Sequence, residues 1–145
     1  DLEDWSALMG CFTNNATAMM ESTKVATGRG EGGASPDYCE VAGSEGTLVY
    51  NLGKPNEVQI GKRGESGLKT IPVPGEFLKV PGSPRDVSEG DPVAVFRYDQ
   101  NFEFINAIRE DRDCSPSFED GLRVQAVMDA VMKSVETEKW ENVEY

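Results

Sequence analysis

The sequence predicts an α+β fold: an open, mainly antiparallel sheet of about six strands with two C-terminal helices packed on one face. Three observations carry it. Short β-prone runs up to Val73 are separated by Asn- and Gly-rich turns, two long amphipathic segments follow Pro92, and 145 residues suffice for one domain. A chain of this length buries roughly 70% of its unfolded surface and needs no disulfide or metal staple.

The strands come in pairs. Residues 4–13 read as a strand, Asn14-Asn15 tolerates a left-handed turn, and 17–27 is the return strand. Residues 38–42 and 47–52 flank the turn Gly43-Ser44-Glu45-Gly46 and form a second hairpin, with Tyr38, Leu48, Tyr50 and Leu52 suited to a packed sheet. A third joins 57–63 to 68–73, alternating at Val58, Ile60 and Leu68. Residues 74–92 are rich in Pro and Gly and connect to the first helix; Pro81-Gly82-Ser83-Pro84 spells PxxP but reads as connecting loop.

Asp91-Pro92 opens the first helix, because Asp accepts from unpaired amides and Pro lacks the amide that would go unpaired. Val95, Tyr98, Phe102, Ile105 and Ile108 then share one face up to about Glu110. Ser117-Phe118-Glu119-Asp120 has the form of a capping box and opens the second helix. Its stripe is Val124, Val127, Met128, Val131, Met132 and Val135, in which the methionines read as core filler rather than a ligand box. Both stripes are expected to be buried, and residues 140–145 to add an edge strand or pack beside the sheet.

Composition excludes much chemistry. The 14 Lys and Arg against 26 Asp and Glu give a formal charge of -12, which repels nucleic acid and anionic membranes. The absence of histidine removes imidazole acid–base catalysis, the usual serine triads and most zinc sites. Cys11, Cys39 and Cys114 are odd in number, lack CxxC spacing and suit free thiols in a reducing, cytoplasmic setting. No run approaches a membrane span and residues 1–10 lack a signal-peptide pattern.

Four motif matches fail on context. Gly28, Gly30 and Gly33 spell GxGxxG after a strand, but Ala34-Ser35-Pro36 leads into another strand where a helix must begin. The run from Asp111 starts like a calcium loop, yet Pro116 occupies the glycine position and Leu122 the bidentate-acid position. Asn15-Ala16-Thr17 is a sequon by letter only. Glu103, Glu110, Asp111, Asp113, Glu119 and Asp120 form an acidic cluster of the kind that solvates a helix face, and a catalytic role for it beside Cys114 is not assigned. Catalytic, cofactor-binding and metal residues are therefore none.

Several segments, in order, resemble one family. Asp4-Trp5, the Gly43-Ser44-Glu45-Gly46-Thr47 turn, Glu103-Phe104-Ile105-Asn106-Ala107-Ile108-Arg109, Pro116-Ser117-Phe118-Glu119-Asp120-Gly121, Asp129-Ala130-Val131, Ser134 and Trp140 are similar to the C-terminal end of Gfo/Idh/MocA oxidoreductases. These are enzymes related to glucose-fructose oxidoreductase and inositol dehydrogenase. The resemblance implies that residues 1–145 are a single substrate-pocket and oligomerisation domain, inactive alone. The NAD- or NADP-binding Rossmann domain, with its catalytic Lys and the family's Asp/His motif, is absent from this chain. It further implies a sugar, polyol or cyclitol substrate, the N-terminal Rossmann domain as partner and a homo-oligomer formed through the sheet face. The alternative expectation is a non-catalytic binding or scaffold module that self-associates through its open sheet.

Overall fold

The computed structural model of the chain describes residues 4–28, 37–87 and 92–145. It is α+β with open antiparallel sheets and two long helices, as the pairing of strands and the helical periodicity predict. Expectations falling on residues 29–36, including Gly30 and Gly33, and on the Asp91 cap lie outside the described residues.

Two ladders share the six strands. β1 (Trp5–Cys11) pairs with β2 (Thr17–Thr23), while β3 (Tyr38–Gly43), β4 (Gly46–Asn51), β5 (Glu57–Lys62) and β6 (Lys69–Pro72) form a second sheet in sequence order. The turn chemistry is as expected: Asn15 takes φ 66, and the Asn14 side chain accepts from the Ala16 amide at 3.0 Å. A 3-10 turn, Gly75–Phe77, precedes α1 (Pro92–Glu110), and α2 spans Phe118–Thr137. Ser117 caps α2 reciprocally with Asp120, its hydroxyl accepting from the Asp120 amide at 3.2 Å while its own amide donates to the Asp120 carboxylate at 2.8 Å.

Backbone proximity divides the chain into two compact units. Residues 1–27 and 116–145 make one, carrying the β1–β2 hairpin and α2; residues 28–115 make the other, carrying β3 to β6 and α1.

The helices correct the expected core. On α1 the covered positions are Val95, Asp99, Phe102, Glu103, Asn106 and Ala107, spaced by three and four, with Asp99 and Ala107 the most buried. Tyr98, Ile105 and Ile108 of the expected stripe are exposed. On α2 the covered positions are the small residues Ala126, Ala130 and Ser134 together with Val131, whereas Val124, Val127, Met128, Met132 and Val135 face solvent. Periodicity identifies side chains that favour burial; it does not say that the covering surface comes from the same chain. Residues 140–145 add no strand and instead run back beside α2.

Candidate functional surfaces

In an antiparallel ladder directly opposed residues share a face, so the register sorts the four-stranded sheet into two sides. One row runs Cys39, Tyr50, Val58, Ile71 and the next Val41, Leu48, Ile60, Lys69. The opposite side carries Glu40, Val49, Gln59 and Thr70 in a row, flanked by Ala42, Thr47 and Gly61. Val49 on this polar side is 4% exposed, while on the apolar side Val41 is 59%, Leu48 39% and Ile71 44% exposed. The apolar rows contain no carboxylate, in a chain with 26 of them.

The β1–β2 hairpin also has an open side. Trp5, Ala7, Met9 and Cys11 share it with Met19 and Glu21, and the Trp5 indole N–H donates to the Glu21 carboxylate at 2.8 Å. Met19 is 86% exposed. This side, unlike the apolar rows of the larger sheet, includes a carboxylate.

A buried polar cluster holds the segment before α1 against that helix. Asp99 accepts from the Ser83 hydroxyl at 2.9 Å and from the Arg85 guanidinium at 3.2 and 2.7 Å, and Arg85 also donates to the Leu78 carbonyl. Lys79 Nζ closes the group on the Arg85 carbonyl at 3.0 Å. Burial pushes the Asp99 carboxyl up, but the hydrogen bonds from Arg85 and Ser83 and the Arg85 charge outweigh it and hold the group below the usual carboxylate range. Among the described residues no buried side-chain nitrogen or oxygen is left without a partner, so the cluster reads as a fastening rather than a reactive site. Sequence reasoning missed it; the available signal was Asp99, a charge falling on the same helical line as Val95 and Phe102.

Four members of the acidic cluster, Glu103, Glu110, Glu119 and Asp120, enter structural pairings. Arg112 reaches back past the end of α1 to Glu103 at 2.6 Å and Glu110 at 2.7 Å. Its hydrogen bonds lower the Glu103 carboxyl, and those carboxylates raise the Arg112 guanidinium. Glu119 pairs with Arg123 at 2.9 Å, and Asp120, lowered by the Ser117 amide and hydroxyl, belongs to the cap. Among the described residues no group of three or more His, Cys, Asp or Glu is placed to hold a metal. A shallow depression of about 290 Å³ between Lys54, Pro55, Asn56, Glu57, Thr70 and Pro72 offers one carboxylate, already 3.3 Å from Lys54. Cys11 and Cys39 are exposed and Cys114 is half-buried. No described helix is long and apolar enough to cross a membrane.

Each of β1, β3, β4 and β5 is followed by its antiparallel partner, so no helix N-terminus stands at the end of such a strand to receive a pyrophosphate.

Residues 3–143 match the oxidoreductase family, C-terminal alpha/beta domain, of the Gfo/Idh/MocA enzymes. The chain belongs to that family. Among similar proteins, levoglucosan dehydrogenase of Pseudarthrobacter phenanthrenivorans is 30% identical over 154 residues, covering 99% of this chain and 37% of the relative. Levoglucosan dehydrogenase solved with NADH and levoglucosan superposes with a TM-score of 0.79 at 27% identity, covering 100% of this chain and 39% of that one. An oxidoreductase domain protein from Kribbella flavida gives 0.76 at 25% identity, with 100% and 38% covered. This Gfo/Idh/MocA domain thus spans under two fifths of the length of the relatives it matches.

Proposed function

We propose that this chain is the substrate-pocket and oligomerisation domain of an NAD(P)-dependent oxidoreductase that oxidises a carbinol carbon of a sugar, polyol or cyclitol. The observation that carries the reading is family membership over residues 3–143, together with the levoglucosan dehydrogenase relative that aligns with 99% of the chain. Solved forms of levoglucosan dehydrogenase include complexes with NADH and levoglucosan and with NADH and L-sorbose, which points to a cyclic or ketose sugar as the substrate class. An N-terminal Rossmann domain is the partner that holds the nicotinamide cofactor. No residue of this chain is given a catalytic role. The reducing cytoplasm is the setting that suits its three cysteines.

The test is NAD(P)H formation by the whole natural polypeptide on levoglucosan, L-sorbose and myo-inositol. Turnover of one of these, and none by residues 1–145 alone, is the expected result. Peptides mapped upstream of Asp1 that contain a Gly-rich strand-helix turn would agree with it. A polypeptide without such a region would favour the alternative, a scaffold module that self-associates through its sheet.

The apolar rows of the four-stranded sheet support the oligomerisation half of the reading. An acidic protein meeting its own copy must keep carboxylates out of the contact, and these rows do so while leaving Val41, Leu48 and Ile71 uncovered. The hairpin side, with Glu21, is the poorer self-contact. Leu48→Lys, in the middle of the rows, is expected to convert the oligomer to monomer in light scattering at micromolar concentration. Glu40→Gln, on the opposite side, is the control and should leave the mass unchanged. An unchanged mass for Leu48→Lys would remove this face from the proposal.

A further inference from the structure

One side of α2 carries Arg123, Ala126, Ala130, Lys133, Ser134 and Thr137, again spaced by three and four. The chain folds back along this side. Glu138, at φ 56, ends the helix in a left-handed turn, and the Ser134 hydroxyl donates to the Lys139 carbonyl at 2.5 Å. Lys133 Nζ at 2.9 Å and the Thr137 hydroxyl at 2.8 Å both meet the Glu141 carboxylate, whose side chain is 15% exposed. Farther along, the Arg123 guanidinium lies 5.6 Å from the centre of the Tyr145 ring. Ala126, on the same side, is among the few buried side chains of the described residues.

This segment is built inversely to a packed one. Its large apolar side chains, Trp140, Val143 and Tyr145, face outward, while its charged Glu141 is the one turned in. Among the described residues no backbone-to-backbone hydrogen bond ties residues 140–145 to the rest. All three fastenings are side-chain contacts made with one helix, so they can release together without loss of any helical hydrogen bond.

We propose that residues 138–145 are a strap that opens and closes over the small-residue side of α2, with Glu141 as its latch. The closed form covers Ala126 and Ala130; the open form uncovers them and frees the backbone of residues 140–145 to pair elsewhere. A latch of one carboxylate with one ammonium makes the equilibrium responsive to ionic strength, because salt screens the pair.

Trypsin reads the opening, since cleavage after Lys139 needs an extended, released segment and its rate follows the open population when closing is fast. In the whole polypeptide, Glu141→Gln is expected to speed cleavage between Lys139 and Trp140 about two- to fivefold relative to cleavage after exposed Lys24, the loss expected for an ion pair with one exposed partner. Raising salt should speed the same cleavage in the native protein and leave the Glu141→Gln rate unchanged. Arg123→Ala, which removes a different fastening, should also accelerate it. Equal relative rates for native protein and both variants, or a salt response that survives in Glu141→Gln, overturn the proposal.

Discussion

Replacing Asp99 by alanine is expected to lower stability by roughly 3–5 kcal/mol, because it leaves the Arg85 guanidinium buried without its counter-charge. The side chains of Arg85 and Asp99 are 10% and 9% exposed, so water cannot take over the lost bonds at low cost. Arg85→Ala should cost about as much, and the double variant should recover part of the loss, since the second substitution removes the stranded charge. Urea unfolding of the four proteins measures the coupling. Additive losses would show that the two residues act independently and that the cluster does not join the pre-helical segment to α1.

The same pair sets a pH dependence of definite sign. Asp99 ionises more readily folded than unfolded, so its contribution is fully present above the ordinary carboxylate range. It is lost as pH falls through the depressed folded value. Glu103, Asp120 and Glu141 are lowered too and contribute in the same direction. Asp99→Asn should therefore show a shallower loss of unfolding midpoint between neutral pH and pH 3 than the native chain. An identical slope in the two proteins would contradict the role given to Asp99.

The second large effect is expected at Gly46. An alanine Cβ there would fall inside the van der Waals envelope of the Gly61 carbonyl oxygen and 3.2 Å from the Lys62 Cα, both backbone atoms of the neighbouring strand. Backbone cannot move aside without breaking the β4–β5 ladder, so Gly46→Ala should cost about 3 kcal/mol. Gly43, at the other end of the same turn, would place its Cβ 3.9 Å from the Gly46 carbonyl oxygen, an ordinary contact, and Gly43→Ala should cost well under half as much. Thermal unfolding of the two variants decides the point, and equal losses would refute the steric account.

These glycines also show where sequence reading stops. Gly43-Ser44-Glu45-Gly46 announces a turn, and the hairpin forms there, yet the letters do not distinguish the glycine that the next strand requires from the one it tolerates. Strand pairs and helix starts were legible because they depend on neighbours in sequence: Asn14-Asn15 for a left-handed turn, Ser117 with Asp120 for a cap. The orientation of the helices was not. Asp99 faces inward because Ser83 and Arg85, from another part of the chain, satisfy it, and Ala126 is buried on the side of α2 along which the chain returns. Both depend on partners that periodicity cannot identify, so the stripes of α1 and α2 are apolar as read but core only in part: Val95, Phe102 and Val131 are covered and the other stripe residues are exposed.

The unit that joins residues 1–27 to residues 116–145 is interrupted by the whole of the other unit. On a ribosome that arrangement imposes an order. Of these residues the β1–β2 hairpin emerges before the rest, carrying Trp5, Met9 and Met19, and must wait until the segment after Ser115 has been made before its unit can be completed. At about 5–20 residues per second the delay lasts several seconds, during which β3 to β6 and α1 have time to fold as a block. The hairpin thus spends longer than the other unit without its completing partner, and offers a chaperone apolar surface to shield in that interval.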